Sequence, residues 1–315
     1  MDLRAPLPPE HARGSGSSQS TQHDEITRHL LCRMFVSSQM MELGSESTFT
    51  GLILFHRYVR HFYCLVEEQQ QSEQKSQLQD AAQELVQIRQ HLGKVAASCL
   101  FLGCKMSEEP RRIRDVINLS SVLGFTECDQ SDDVNNYDQK SPIVIKEVAE
   151  PPPLDEKYWK AKEEIVSTEQ LVLRMLKFDT VVCHPHRCVL IVMDTLGFGT
   201  GKDKSNSTDC DANKANTFLT PDQSDRVIND AWRLLNEASL DIRSEVLTCS
   251  VTVLACAAIQ VAADGLKLHA TTVATKDDEE LQSRINLPES WWRALDINTS
   301  EIRTAISSFQ KMARS

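Results

Sequence analysis

Glycine is scarce in this 315-residue chain, at 11 residues, and aromatic side chains make up only 6%. A β-sandwich or a doubly wound sheet leans on turn glycines and on aromatic and β-branched strand residues, so both are disfavoured. A surplus of positive charge is also missing: 34 Lys and Arg stand against 45 Asp and Glu, a net charge of -11. A general nucleic-acid binder needs a basic face to displace counterions, and this balance argues against one while leaving room for a local basic patch. No run reaches the roughly 20 apolar residues that span a bilayer. The longest apolar stretch, residues 246–263, is interrupted by Thr248, Ser250, Thr252 and Gln260 and reads as a buried helix of a water-soluble bundle. Residues 1–24, rich in Pro, Ser, Gly and Gln, lack the apolar segment of a secretory signal and read as a disordered tail. None of the ten cysteines pairs as CxxC. A reducing intracellular setting, nuclear or cytoplasmic, is therefore expected, with no membrane association. Cys99, Cys104, Cys249 and Cys256 fall within apolar helical patterns, where a thiol serves as a small hydrophobe.

What the chain does have is helical periodicity, with 41% hydrophobic residues, enough for a real core. Helices are expected over residues 26–43, 48–66, 92–106, 111–123 after Pro110, 155–178 capped by Asp155, 185–196, 222–236, 243–263 and 299–312, with a short turn or helix at Trp291-Trp292. Residues 165, 166, 172, 173 and 176 line one side of the helix that follows Asp155. Polar breaks separate them. The Gln-rich interval 67–83 reads as a solvated helical extension or an insertion, and residues 126–153 and 197–221 read as loops. Two helical halves result, near 28–180 and 184–312. Each is centred on an Ala/Cys/Leu helix, a weak internal repeat.

Sites for chemistry are mostly excluded. Cys183, His184, His186 and Cys188 crowd four metal ligands into six residues, but a tetrahedral zinc shell draws ligand pairs from separated positions, and no second pair follows. Gly197, Gly199, Gly201 and Lys202 miss the phosphate-loop spacing, with Leu196 in place of the first Gly and Asp203 in place of Ser or Thr. Neither a metal nor another cofactor is expected, and no catalytic residue. A Cys–His hydrolase has no pattern to support it. Two charged residues are more informative. Lys105 closes the apolar helix at 96–104, and Glu169 sits among Ile165, Val166, Val172 and Leu173. A carboxylate on an apolar face is costly unless partnered. Glu169 either lies at the solvated edge of the stripe or awaits polar groups of a partner protein.

The segment VAASCLFLGCK (95–105), followed by PRRIRDVIN (110–118), resembles the core of a cyclin box. EQLVLRMLKFD (169–179) resembles the box's last helix, and His184-Pro185-His186 the entry to the second box in transcription-type members. The resemblance implies an all-α fold of tandem cyclin boxes, bundles of about five helices each, at 25–180 and 184–312. It implies a regulatory subunit rather than an enzyme, one that binds and activates a cyclin-dependent protein kinase by positioning the kinase's regulatory helix. Lys105 and Glu169 match the residues that hold polar groups of that helix. Leu173 and Phe178 match apolar positions that receive it, and Arg174, Met106 and Glu108 match or neighbour further contacts. LDEKYW (154–159), AWRLLNEAS (231–239) and Trp291-Trp292 resemble the branch whose partner is a cyclin-dependent kinase 10-like kinase. PRRIRDVIN also fits the cyclin L branch, against which the want of an Arg/Ser-rich tail counts. A nucleic-acid-associated helical adaptor on the same fold is the rival from another class, opposed by the acidic balance.

Overall fold

The computed structural model describes residues 18–72, 78–125, 153–195, 219, 221–241, 249–273 and 290–312. They form α1 (Ser18–Met40), α2 (Ser45–Ser72), α3 (Leu78–Met106), α4 (Ile113–Val122), α5 (Glu156–Met175), α6 (Pro185–Thr195), α7 (Pro221–Leu240), α8 (Val251–Val273), a 3-10 helix (Trp291–Leu295) and α9 (Thr299–Met312). No strand occurs among the described residues, and the fold is all-α as expected. The buried apolar side chains divide into two clusters. One gathers α1–α5 around α3, and the other gathers α6, α7, α9 and the 3-10 helix around α8. Residues 95–104 of α3 and 253–259 of α8 are buried on every side, which is how a central bundle helix reads. Among the described residues the second bundle thus has four α-helices and a 3-10 helix, in line with the expected five or so.

Several boundaries move for local reasons. The expected tail 1–24 overlaps α1, which starts at Ser18; residues 1–17 lie outside the described residues. Contacts with α2 hold this first part of α1, since His23 stacks on Tyr63 at 4.8 Å and the Tyr63 hydroxyl donates to the His23 carbonyl at 3.2 Å. The Gln-rich interval is helical on both sides of residues 73–77, which lie outside the described residues. The fourth helix starts at Ile113 rather than beside Pro110. Arg111 is drawn instead into bonds with the carbonyls of Met41 and Glu42, and Arg112 stays extended. Asp155 caps α5 as expected, accepting from the Tyr158 amide at 3.0 Å. Val166 faces out, 40% exposed, while Ile165, Glu169, Val172 and Leu176 form the inward stripe. The eighth helix starts at Val251 rather than residue 243, because Ser250 accepts from the Val253 amide and caps it. Residues 242–248, and nearly all of the expected loops 126–153 and 197–221, lie outside the described residues.

The first bundle is set by a backbone-to-backbone crossing. A Cβ on Gly103 of α3 would lie 2.7 Å from the Ser47 carbonyl oxygen and 2.8 Å from the Gly51 nitrogen of α2. A Cβ on Gly51 would lie 3.2 Å from the Cys99 carbonyl oxygen. Neither helix can yield a flexible side chain there, so glycine alone lets α2 and α3 approach this closely.

A seam of histidines joins the two bundles. His56 on α2 donates Nε2–H to the Ser239 carbonyl at the end of α7, at 2.7 Å. His184 bonds Thr50 at 3.3 Å, and His186 bonds Asn236 Oδ1 at 3.1 Å. Phe49 packs against both rings, and Trp232 packs against His186 at 4.9 Å. Burial pushes His56 and His186 down from 6.5 to about 4. An extra proton on His186 would also fall on Nδ1, which is buried without a protein partner among the described residues.

Two predictions follow from packing and seam. Gly103→Ala forces backbone apart and is expected to cost about 1–3 kcal/mol. Gly265→Ala in α8, where a Cβ meets nothing within 4 Å, is expected to stabilise by about 0.5–1 kcal/mol. Thermal melts of the two variants should therefore shift in opposite directions. The unfolded chain takes up protons on its histidines below pH 6.5, whereas folded His56 and His186 resist until about 4. Stability is thus full above pH 6.5 and falls as the pH drops from 6.5 towards 4. Melts across that range check this, with a shallower slope expected for His186→Gln.

Candidate partner-binding surface

The ends of α3 and α5 meet through a graded set of contacts. Lys94 pairs with Glu164 at 3.2 Å near solvent, Ser98 donates to the Ile165 carbonyl at 3.2 Å in the interior, and Lys105 meets Glu169 at the far end. The order of these pairs shows the two helices running in the same direction. Lys105 Nζ donates to both carboxylate oxygens of Glu169, at 2.7 and 2.8 Å, and also lies 4.2 Å from the centre of the Phe101 ring one turn back. Glu169 occupies the stripe of Ile165, Val172 and Leu176, so its carboxylate is nearly buried, its side chain 12% exposed. The Lys105 side chain is 45% exposed. Of the alternatives read from the sequence, Glu169 is not a solvated edge residue. It is held by an ion pair within the chain, with the lysine side open to solvent.

The remaining candidates sit on the two helix ends. Met106, 45% exposed, and exposed Glu108 follow Lys105, and Glu108 takes a left-handed conformation at φ 55° as the chain turns back. Leu173 packs partly against the core, whereas Arg174 is exposed. The α5 terminus then winds through Lys177 and Phe178, at φ 52° and 60°, with the Phe178 amide donating to the Leu173 carbonyl at 2.8 Å. Left-handed backbone is disfavoured for bulky side chains. Here it projects the Phe178 ring into solvent, 69% exposed.

Three features of this region were missed in the sequence. Glu109 accepts from the Gly44 amide at 2.9 Å and the Ser47 hydroxyl at 2.6 Å, and from Arg111 at 3.1 Å. Partial burial pushes its carboxyl up, but these hydrogen bonds and the guanidinium outweigh burial and hold it below its usual range. Glu109 thereby caps the start of α2 and fixes the turn after α3. Val181, 66% exposed, extends the apolar surface beyond Phe178. Arg57 on α2 donates to the carbonyls of Asp179 and Val181. Apart from Arg111, the partners of Glu109 and Arg57 lie more than 60 residues away in sequence, so neither periodicity nor a local motif signals them. A separate cleft of about 690 Å³ opens between the bundles, lined by Phe35, Leu190, Ile228, Trp232 and Leu240 with polar neighbours.

Chemistry within the chain is sparse. Among the described residues no group of three or more His, Cys, Asp or Glu could hold a metal ion. The ligands crowded at 183–188 diverge, His184 to Thr50 and His186 to Asn236. Burial pushes the thiols of Cys104 and Cys256 up to about 11 and about 12, and that of Cys99 further. Among the described residues no helix is long and apolar enough to cross a membrane.

No family model matches the chain. It is 25% identical over 264 residues to cyclin-L1 of Xenopus laevis, covering 83% of this chain and 40% of that protein. To the cyclin L homolog cyl-1 of Caenorhabditis elegans it is 28% identical over 186 residues, covering 58% and 32%. To human cyclin-L1 it is 24% identical over 227 residues, covering 70% and 31%. The chain spans less than half the length of these relatives. A solved chain from the CAK complex of Chaetomium thermophilum bound to ATP-gamma-S overlays with a TM-score of 0.47 and 13% identity, covering 96% of this chain and 67% of that one. The relatives to which the sequence is similar are cyclin L proteins.

Proposed function

We propose that this chain is a cyclin-type regulatory subunit that binds and activates a cyclin-dependent protein kinase, without catalysing a reaction itself. A kinase is competent only when its regulatory helix is rotated inward, so that the Glu of that helix pairs with the Lys that holds the ATP phosphates. A rigid surface that binds only the inward arrangement shifts the population towards it. The carrying observation is the Lys105–Glu169 pair, a cation half in water on a nearly buried carboxylate, set between the ends of α3 and α5. Leu173 and the exposed Phe178 and Met106 supply apolar area, with Arg174 and Glu108 at the rim. The ion pair supplies register, because a misplaced partner would leave its polar groups unmatched.

At a finer level we read the chain as similar to cyclin Q, with a cyclin-dependent kinase 10-like partner, on the strength of LDEKYW, AWRLLNEAS and Trp291-Trp292. The second reading is a cyclin L-like transcription cyclin, favoured by the relatives to which the chain is similar. In either case the chain would act inside the cell. Affinity purification of this chain followed by identification of the bound kinase separates the two.

The surface itself is tested by substitution. Lys105→Ala with Glu169→Ala is expected to weaken binding of purified cyclin-dependent kinase 10 by about thirtyfold or more, the loss expected when a buried polar contact of about 2 kcal/mol or more is removed. Kinase activity measured at fixed concentrations should fall in parallel; unchanged affinity would sink the proposed surface. Melting temperature should order the variants differently. Lys105→Ala strands a nearly buried carboxylate and should be less stable than Glu169→Ala, which leaves a lysine that water can reach.

A further inference from the structure

Phe178 and Val181 have the highest exposures of any large apolar side chain among the described residues, 69% and 66%. Their backbone is not left to itself. The Asp179 amide bonds the Leu176 carbonyl at 2.9 Å and the Thr180 amide bonds the Phe178 carbonyl at 3.0 Å, winding the chain tightly out of α5. From α2, the two arms of the Arg57 guanidinium then reach alternate carbonyls, Asp179 at 3.2 Å and Val181 at 3.0 Å. The fork thus ties residues 179 and 181 together to α2 through their backbone. A weak approach of Arg57 to the Asp179 carboxylate, at 4.0 Å, adds charge to the same grip.

We propose that Arg57 is a positioning residue for partner binding and that Val181 is a contact it sets in place, forming with Phe178 an apolar shelf on the chain that leaves α5 beyond Glu169. This deepens the kinase-binding reading and rests on it. The physical reason is entropic. Two bulky apolar side chains on a segment with left-handed backbone at Lys177 and Phe178 would sample many arrangements if untethered, and ordering them on binding would weaken the complex. The guanidinium removes that cost in the free chain. It does so from two nitrogens of a planar fork, a geometry that a lysine ammonium, with its donors gathered on one nitrogen, does not reproduce.

Binding of purified cyclin-dependent kinase 10 to the full chain, measured by interferometry, tests this by a double-mutant cycle. Arg57→Ala is expected to weaken binding about five- to tenfold, and Arg57→Lys by nearly as much. In the Phe178→Ala/Val181→Ala background, Arg57→Ala should add less than about twofold, because its effect passes through those side chains. Hydrogen exchange at residues 179–182 of the free chain should rise in Arg57→Ala while the rest of α5 keeps its protection. An equal loss from Arg57→Ala in both backgrounds, or unchanged exchange at 179–182, overturns the proposal. Failure of the wild-type chain to bind overturns it together with the kinase reading. If only Lys105→Ala/Glu169→Ala leaves affinity unchanged while the Arg57 cycle behaves as stated, the shelf stands and the role given to the ion pair falls.

Discussion

The contact between α2 and α3 at Gly51 and Gly103 is the constraint on which the rest of the first bundle depends. Without side chains at the crossing, the two helices lie backbone to backbone. That fixes where α3 ends, and hence where Lys105 stands relative to α5. The same α2 carries Thr50, His56 and Arg57, which reach the linker and the second bundle. One helix therefore positions the ion pair, the linker and the neighbouring bundle together. A displacement of α2 would be felt at all of them, because close-packed interiors transmit small shifts rather than absorbing them.

The polar groups in this arrangement follow one physical logic. Three polar side chains that matter here are held by elements far away in sequence: Glu169 by Lys105, Glu109 by the start of α2, and His186 Nε2 by Asn236. Burial keeps the seam histidines neutral and the core thiols protonated, so the interior carries little charge beyond the pair at its edge. Among the described residues the large apolar side chains left outside are spread over the molecule, with Phe178, Val181 and Ile191 the most exposed.

Much of the fold was legible from the sequence because helical periodicity and caps are local signals. Asp155 at the start of α5 and the 299–312 helix read directly, as did the burial of the 95–104 segment. The starts of α1, α4 and α8 did not, since each is decided by contacts or caps outside the periodic pattern: the His23–Tyr63 stack, the bonds of Arg111, and Ser250. The candidate surface was half legible. Glu169 stood out as a charge on an apolar stripe, and Lys105 as the end of an apolar helix. That they pair with each other, that Val166 turns away, and that Arg57 grips the linker all depend on how helices 60 or more residues apart are set together. No local pattern carries that information.

The pairing of Lys105 with Glu169 has a consequence in stoichiometry. An ammonium has three N–H donors, and two of them reach the Glu169 oxygens. One is left to offer outward, over a carboxylate whose remaining lone pairs can only accept. A partner docking here as proposed would meet a fixed polarity: an acceptor would be needed on the lysine side and a donor on the glutamate side, in that order along the surface. A segment that presents the two groups reversed would face donor with donor and acceptor with acceptor. On the proposed reading, the pair would select the direction of an incoming backbone as well as its chemistry.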